Sequence, residues 1–354
     1  METQMYRDLV GQAQNLRTME ILQERASVVR EAAAANQVAP TPKRNAMLGA
    51  LLGLILGLGL AFLSNALDKR VRTQAEVEEL LRLPLLGRLP KPHRRLRRVD
   101  RLAMLDEPSE ASAEAVRRLR TNLELANIDG DAKVIMVTSA AEGEGKSTTL
   151  ANLAVALADS GKTVALVELD LRRPTLAAFF RLKSRSGLTD VVLGRVKLKD
   201  ALAAVPLSGP SATSLNGARS PEVRLQVLPS GSSLPANPGE FVGSQAVARL
   251  LAELRSDHDL VLVDAPPMLS VVDAMTLSTR VDAVFAVVRL GVANRPMLED
   301  LARSLERSPA TKLGFVLTGS DDRKVYGSPG YGYHARNVET LQPTPLPRAS
   351  SSGR

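Results

Sequence analysis

One nine-residue segment restricts the possible folds of this chain more than any other feature: Ala140–Thr148, with the sequence AAEGEGKST. An apolar run at Val134–Val137 precedes it and predicts a short strand, and the pattern after it predicts a helix over 146–159. Gly143 and Gly145 allow backbone N–H groups to converge on phosphate oxygens, and the helix N-terminus adds partial positive charge. A strand, a glycine-rich loop ending in Gly-Lys-Ser and a helix, in this order, indicate a phosphate-binding loop, or P-loop.

The P-loop predicts ATP and Mg²⁺ as the cofactors. Lys146 is expected to reach the β- and γ-phosphates, and the Ser147 hydroxyl is expected to ligate Mg²⁺. Ala140 occupies the position where the general pattern has its first glycine. The predicted cofactor-binding residues are Gly143, Glu144, Gly145, Lys146, Ser147 and Thr148.

Three carboxylates follow two further apolar runs. Asp264 ends the segment Leu-Val-Leu-Val-Asp, and Glu168 and Asp170 follow the run Val164–Val167. Ligands of an open parallel sheet bind beside the carboxyl ends of its strands, so we expect these side chains near the P-loop; for a single aspartate, a capping role is the alternative. The predicted catalytic residues are Lys146, Glu168, Asp170 and Asp264, and the predicted metal ligands are Ser147, Asp170 and Asp264.

Short apolar runs alternate with helical segments from about residue 110 onward. After the first strand, the predicted strands are 163–167, 225–228, 260–263, 283–288 and 313–317. Continuous Val/Leu runs that alternate with helices are typical of a parallel sheet covered on both faces. The predicted fold class is therefore α/β, a P-loop NTPase with a mostly parallel sheet flanked by helices over 110–320.

A second constraint is the uncharged segment 46–63, AMLGALLGLILGLGLAFL. As a helix it would be about 27 Å long, close to the hydrocarbon thickness of a bilayer. A buried core helix and a signal peptide are the alternatives, but a signal peptide would lie at the N-terminus. Glycines at 49, 53 and 57 would permit close approach of another helix in lipid. We predict one transmembrane helix ahead of the α/β domain.

Cations are distributed unequally around this segment. Lys43 and Arg44 precede it, and a larger set follows it: Lys69, Arg70, Arg72, Arg82, Arg88, Lys91, Arg94, Arg95, Arg97, Arg98 and Arg101. This bias predicts a single-pass protein of the plasma or inner membrane with its α/β domain in the cytoplasm. Residues 64–109 are predicted to be a basic juxtamembrane linker that favours anionic lipid over nucleic acid, a merely solvated linker being the alternative.

Composition excludes several classes of site. The formal net charge is +8, and the basic segment after residue 64 supplies much of it. The chain has no cysteine, which excludes disulfides and thiol catalysis, and its three histidines are scattered without metal-ligand spacing. Tryptophan is absent and aromatic residues are 3% of the chain, which argues against stacking-type recognition of sugars or bases.

The two ends of the chain differ from the centre. Apolar residues recur every three or four positions over 5–30 and predict a helix, which the Pro40–Pro42 segment ends. This helix would be half of a helical hairpin or coiled coil. The tail, 321–354, is polar, contains Pro and Gly, and carries three of the four tyrosines of the chain, so it is predicted to be disordered.

Together these motifs resemble the bacterial tyrosine kinases, or BY-kinases, of capsule and exopolysaccharide systems. The resemblance rests on Lys133–Arg173 with its P-loop and VALVELDLRRP segment, on LVLVDAPP, on Leu228–Gly231 with Pro235–Pro238, and on Glu114–Arg120, which is similar to the ExxRxxR helix of that family. Residues 1–90 are similar to the C-terminal end of Wzz-type polysaccharide chain-length determinants. The family usually has a long extracytoplasmic domain, so the resemblance implies that 1–45 is a remnant of it in an N-terminally short chain.

The resemblance implies an activity and partners. It implies transfer of the ATP γ-phosphate to tail tyrosines, regulation of polysaccharide chain length and export, contact with the polymerisation and export machinery, and a cognate tyrosine phosphatase. The implied phospho-acceptors are Tyr326, Tyr331 and Tyr333, and the residues implied in ring-shaped self-association are Glu114, Arg117 and Arg120. Glu168 stands where the family pattern has an aspartate, so Asp170 is the stronger candidate for the residue that orients or deprotonates the phenol.

Two other functions remain open from the sequence. A nucleotide-binding polysaccharide-export adaptor without kinase activity is consistent with Glu168 and with the small number of tyrosines. A positioning ATPase of the MinD/ParA type would carry a second lysine near the start of the P-loop, where this chain has Ala141 and Glu142.

Overall fold

A computed structural model of the chain describes residues 2–24, 42–91, 101–183, 186–207 and 224–320. These residues belong to two compact units, one that ends at Asp68 and one that begins at Lys69. Three predictions fall wholly or partly outside the described residues: the end of the first helix at 25–30, the cations at 94–98, and the tail with its tyrosines.

The described residues of the first unit form two helices, α1 (Glu2–Glu24) and α2 (Pro42–Leu67). Helix α2 contains the predicted span 46–63 and extends four residues beyond each end of it. Pro42 is its first residue, a position where the missing N–H removes no helical hydrogen bond. At 26 residues the helix is about 39 Å long, and its length and composition make it a candidate membrane span.

The second unit is an α/β domain. Its strands are β1 (Leu85–Pro90), β2 (Val134–Ser139), β3 (Val164–Glu168), β4 (Ala203–Val205), β5 (Leu225–Leu228), β6 (Leu260–Asp264), β7 (Ala283–Arg289) and β8 (Thr311–Ser320). Its longer helices are α3 (Gln74–Leu81), α5 (Ala111–Ala126), α6 (Lys146–Asp159), α11 (Gln245–Asp257) and α13 (Arg295–Arg307). The shorter ones are α4 (Ala103–Asp106), α7 (Leu176–Phe179), α8 (Leu188–Val192), α9 (Leu198–Ala201), α10 (Pro238–Val242) and α12 (Val272–Ser278).

All eight strands form one sheet in the order β1-β8-β7-β2-β6-β3-β5-β4. Every pairing is parallel except that of β4 with β5, which is antiparallel. The predicted α/β fold with a mostly parallel sheet is therefore confirmed, and each strand predicted from the sequence is present. The edge strands β1 and β4 were not predicted.

Alternate residues of each strand point to opposite faces of the sheet, and helices cover both faces. On β2, Ile135 and Val137 belong to a core shared with α5 and α6, whereas Met136 belongs to a core shared with α3, α11 and α13. All six residues of β2 are buried. Because the central strands β3, β6, β2 and β7 are parallel, their carboxyl ends lie at the same edge of the sheet.

The structure corrects the predicted linker at 64–109, because the folded unit begins at Lys69. Strand β1 pairs in parallel with β8, and α3 packs against α13. Val71, Val77, Leu81 and Leu86 are each at most 5% exposed. The segment LLGRLP does not alternate cleanly between apolar and polar residues, and it ends in proline, so its sequence does not predict a strand. It becomes a strand because it pairs with the edge of β8.

Candidate nucleotide-binding site

The loop between β2 and α6 has the backbone geometry of a phosphate cradle. Gly143 and Gly145 have φ angles of +77° and +93°, a region that favours glycine over residues with a Cβ. Helix α6 begins at Lys146, as predicted, so the first N–H groups of the helix have no partner within it. These N–H groups and the loop amides together can bind an anion.

The ends of β7 and β8 hold this loop in place. The Glu144 carboxylate accepts hydrogen bonds from the backbone N–H groups of Ala141 (2.8 Å) and Arg289 (3.3 Å). Thr318 Oγ1 donates to the Glu144 carbonyl (2.7 Å), and Arg289 Nη1 donates to the Gly143 carbonyl (2.9 Å). The Glu144 side chain points into the protein, and burial raises its pKa although the backbone donors act to lower it. The Glu144 carboxylate therefore supports the loop from inside the protein and is not placed to contact a ligand.

We expect Glu144→Ala to loosen the P-loop, because it leaves two backbone N–H groups without an acceptor. The free energy of unfolding should fall by about 1–3 kcal/mol, and the dissociation constant for ADP·Mg should rise about tenfold. Thermal unfolding and isothermal titration calorimetry measure the two effects. Glu299→Ala is the control, because Glu299 is exposed and its ion pair with Arg295 lies on the surface. Unchanged affinity and stability in Glu144→Ala would contradict this role.

Four side chains predicted from the sequence meet at the P-loop. Lys146 Nζ lies 2.6 Å from Asp170 Oδ2, 3.6 Å from Asp264 Oδ1 and 3.4 Å from Ser147 Oγ. The side chains of Lys146, Asp170 and Asp264 are 11%, 6% and 0% exposed, respectively. The carboxyl ends of β3 and β6 therefore place two carboxylates around the lysine of the P-loop.

Burial and charge act in opposite directions in this cluster. Burial acts to lower the pKa of Lys146, but the carboxylates of Asp264 and Asp170 outweigh it, and the net effect raises the pKa. Burial raises the pKa of Asp264, and the charge of Lys146 acts against that rise. Lys146 is therefore a cation held by two buried anions.

The surroundings of Asp264 fit a bound cation. Neither of its carboxylate oxygens has a hydrogen-bond partner among the described residues, although both are buried. The Lys146 ammonium, 3.6 Å from Oδ1, offsets part of the charge of Asp264, and a further cation or an ordered water would satisfy the remaining acceptor positions of this buried carboxylate. The described part of the chain contains no group of three or more His, Asp or Glu side chains that could hold a metal alone. A Mg²⁺ here would take its other ligands from Ser147, a phosphate and water.

Glu168 lies beside this cluster, but its carboxylate does not point toward Lys146. Its side chain is 0% exposed, and its carboxylate accepts hydrogen bonds from the backbone N–H groups of Thr175, Leu176 and Ser230. Burial raises the pKa of Glu168 to about 7, the three N–H donors act to lower it, and the nearby charge of Asp264 acts to raise it. The structure thus places Asp170, and not Glu168, in contact with Lys146.

The cluster opens into a cleft of about 690 Å³. Besides the P-loop, its walls include Asp170, Arg173, Phe179, Pro267 and Arg289. A second cavity of about 330 Å³ shares Gly143, Gly145 and Thr148 with this cleft and is lined largely by apolar atoms. Its other walls include Leu89, Pro90, Val116 and Thr318.

The residues predicted for self-association lie away from this cleft, on α5. Arg117 Nη1 is 3.2 Å from Glu114 Oε2, and Arg117 Nη2 donates to the Pro108 carbonyl (2.7 Å). Arg120 lies 3.8 Å from Glu124 and points toward the carbonyl of Ala156, ten residues along α6 from Lys146. That distance along the helix corresponds to about 15 Å.

Sequence reasoning missed the residues that support the P-loop from β7 and β8. Arg289 is the last residue of β7, so the rule used for the carboxylates, that ligands bind at the carboxyl ends of parallel strands, could have identified it. Thr318 carries no such signal, because its role depends on the close approach of β8 to the loop.

Comparisons with known proteins agree with this site. Residues 132–306 match the family model described as AAA domain. The chain is 34% identical to the tyrosine-protein kinase YwqD of Bacillus subtilis over 67% of its length and 92% of that protein. It is 27% identical to the tyrosine-protein kinase etk of Escherichia coli over 84% of its length, but this match spans only 40% of the relative.

A solved structure gives the same result. The kinase domain of the Escherichia coli tyrosine kinase ETK superposes with a TM-score of 0.61 and 25% identity, covering 74% of this chain and 99% of that domain. The family predicted from the motifs is confirmed by these matches, and most of the shared length lies in the second unit and includes the P-loop. The chain therefore belongs to the family of bacterial tyrosine-protein kinases.

Proposed function

We propose that this chain is a membrane-tethered protein-tyrosine kinase that transfers the γ-phosphate of ATP to tyrosines in its own tail. The observation that carries the proposal is the cluster of Lys146, Ser147, Asp170 and Asp264 at the P-loop. It joins a phosphate cradle, a candidate cation site and a carboxylate able to accept a proton. Phosphoryl transfer depends mainly on such positioning and charge neutralisation.

The nucleotide would extend across the P-loop. The backbone amides from Gly143 to Thr148 would bind phosphate oxygens, and Lys146 would contact the β- and γ-phosphates. The nucleoside would enter the apolar cavity that begins at Thr148, where Leu89 and Val116 form part of the wall. When bound, Mg²⁺ would neutralise charge on the β- and γ-phosphate oxygens, with Ser147 and Asp264 as its protein ligands.

Asp170 would act on the acceptor. The phenol oxygen of a tail tyrosine attacks the γ-phosphorus, the bond from that phosphorus to the β,γ-bridging oxygen breaks, and ADP leaves. The phenol proton passes to the Asp170 carboxylate. Its Oδ2 lies 2.6 Å from Lys146 Nζ, and the side chain is 6% exposed, at the cleft. Phe179 and Pro267 line the same cleft and would contact the acceptor ring.

The acceptors would be Tyr326, Tyr331 and Tyr333. Each phosphate adds nearly two negative charges. If the chain assembles into a ring through the α5 surface of Glu114, Arg117 and Arg120, repulsion among phosphorylated tails would loosen it. The catalytic unit would lie in the cytoplasm, as the cation bias around α2 favours, and would regulate polysaccharide chain length and export together with a cognate phosphatase.

Replacing Tyr326, Tyr331 and Tyr333 together with phenylalanine should abolish phosphotyrosine on purified protein incubated with ATP·Mg. The variant should also keep one oligomeric state with and without ATP, because no charge is added to the tail. Mass spectrometry and light scattering measure the two results. Tyr6→Phe is the matched control, because Tyr6 is the fourth tyrosine and lies on α1.

The outcomes separate the competing functions. Phosphotyrosine that persists in the triple variant would contradict tail autophosphorylation. Wild-type protein that binds ATP·Mg without forming phosphotyrosine would support the nucleotide-binding export adaptor instead.

A further inference from the structure

We infer that Glu168 is a positioning residue, which fixes the loop carrying Asp170 and contacts neither the nucleotide nor the acceptor phenol. The inference rests on the proposed function, because it concerns the carboxylate proposed to accept the phenol proton. It follows from the contacts of a single buried side chain and from what those contacts hold together.

The Glu168 carboxylate is committed to the backbone on both of its oxygens. Oε1 accepts hydrogen bonds from the N–H groups of Thr175 and of Leu176 (2.8 Å), and Oε2 accepts one from the N–H of Ser230 (3.0 Å). The residue is completely buried. A carboxylate with three N–H donors and no access to solvent is poorly placed to approach a substrate.

These contacts close a loop around Asp170. The segment from Glu168 to Thr175 leaves β3, carries Asp170 and returns to the Glu168 carboxylate at the start of α7. Within it, Asp170 Oδ1 accepts a hydrogen bond from the N–H of Arg173 (3.2 Å). At its start, the N–H of Leu169 donates to the carbonyl of Asp264 (2.9 Å). The position of Asp170 relative to Lys146 is therefore set from both ends of the loop.

Ser230 links this loop to a second, independently fixed segment. The loop after β5 receives hydrogen bonds from α8, since the N–H groups of Leu188 and Thr189 donate to the carbonyls of Pro229 and Ser230. The Asp190 carboxylate accepts hydrogen bonds from the N–H and Oγ of Ser232. Glu168 thus ties the Asp170 loop to a segment that other contacts already hold.

Side-chain length explains why a glutamate serves here. The carboxylate must reach two amides seven and eight residues along the chain and a third in the loop that follows the neighbouring strand β5. An aspartate carboxylate would lie about 1.5 Å closer to its own backbone and would lose at least one of these contacts. A carboxylate at position 168 therefore accepts all three hydrogen bonds only if its side chain has the length of glutamate.

The test compares Glu168→Gln and Glu168→Asp with Asp282→Asn as the matched control. The Asp282 carboxylate also accepts two backbone hydrogen bonds, from the N–H groups of Lys133 and Val134, but it lies at the amino ends of β2 and β7, opposite the P-loop edge of the sheet. For both Glu168 variants we expect kcat for tail phosphorylation to fall about tenfold while KM for ATP stays within about threefold. The acidic limb of the pH–rate profile should keep its midpoint, because the base is unchanged.

A second readout is independent of kinase activity. Arg172 lies in the loop around Asp170 and is 46% exposed, so trypsin should cleave the Arg172–Arg173 bond at least about fivefold faster in Glu168→Gln than in wild type. The bond after Arg173 resists trypsin because Pro174 follows it. Asp282→Asn should leave this cleavage rate unchanged. The proteolysis result tests the role of Glu168 even if the wild-type protein forms no phosphotyrosine. A failure of the proposed kinase function can therefore be distinguished from a failure of this inference.

Three results would overturn the inference. One is loss of all turnover in Glu168→Gln with restoration in Glu168→Asp and unchanged proteolysis, which would identify Glu168 as a base or metal ligand. Another is an equal loss of kcat in Asp282→Asn, which would show that removing any carboxylate that accepts backbone hydrogen bonds lowers turnover. The third is wild-type turnover and proteolysis in both Glu168 variants. If Glu168→Gln does not fold, the Glu168→Asp comparison decides alone.

Discussion

Replacing Lys146 with methionine should eliminate phosphotyrosine formation and should also lower the stability of the protein. The activity loss follows from removing the cation proposed to contact the β- and γ-phosphates, and we expect it to exceed about a thousandfold. The stability loss follows from the position of Lys146 between Asp170 and Asp264, both nearly or fully buried. Removing one partner of a buried charge pair costs about 3–5 kcal/mol.

A double variant separates these two effects. Adding Asp170→Asn to Lys146→Met removes one of the two uncompensated carboxylates, so stability should recover by about 1–3 kcal/mol while activity stays absent. Thermal unfolding and phosphotyrosine immunodetection measure the two quantities. Asp170→Asn in the presence of Lys146 is the matched control. If Lys146→Met unfolds at the wild-type temperature, the lysine is not a structural counter-charge.

The stability loss should depend on pH in a defined direction. In the wild type the raised pKa of Lys146 means that its stabilisation is complete below the unfolded pKa of 10.5 and is lost only as pH rises through the higher folded value. Without Lys146, the pKa of the buried Asp264 rises further, so acid neutralises it in the folded state. We therefore expect the deficit of Lys146→Met to be smaller at about pH 5 than at about pH 8.

Removing residues 69–109 should prevent the α/β domain from folding. A chain of 110–320 lacks α3 and β1 and loses Val71, Val77, Leu81 and Leu86, which are all buried. At about 1.5–3 kcal/mol for each buried apolar side chain, the loss is about 6–12 kcal/mol, comparable to the whole stability of a typical domain. Strand β8 would also become an unpaired edge, which favours aggregation.

The matched comparison is a chain of 69–320, which keeps β1 and α3 and lacks only the first unit and the tail. We expect this chain to unfold cooperatively on heating, and the chain of 110–320 to be insoluble or to show no cooperative transition. Circular dichroism and size-exclusion chromatography measure these properties. If 110–320 unfolds within a few degrees of 69–320, the segment before residue 110 is an appendage and the predicted linker was right.

The central strands and the P-loop were predictable because their signals are local. Val134–Val137 and Leu260–Val263 are continuous apolar runs, and such runs are typical of strands buried on both faces of a parallel sheet. The start of α6 at Lys146 follows from glycine at the preceding position. Edge strands carry weaker signals, since they are covered on fewer sides, and β1 and β4 were missed for that reason.

The candidate site was predictable as a set of residues but not as a set of roles. The rule that strand ends meet at one edge of the sheet brought Asp170 and Asp264 to Lys146 correctly. The same rule grouped Glu168 with them, although its side chain turns toward Thr175 and Ser230. Residues two apart along the chain here have different partners, and no spacing in the sequence distinguishes them.

By itself, the amino-acid sequence determined that this protein has a parallel α/β sheet, a phosphate-binding loop and a candidate membrane span, because each depends on contiguous residues or on a short period. The tertiary structure decided where the domain begins, how β7 and β8 hold the P-loop, and which carboxylate faces Lys146. Those features arise from contacts between residues far apart in the chain, such as Arg70 and Gly291, which are 221 positions apart. Such contacts are selected by the packing of the whole sheet and leave no local pattern.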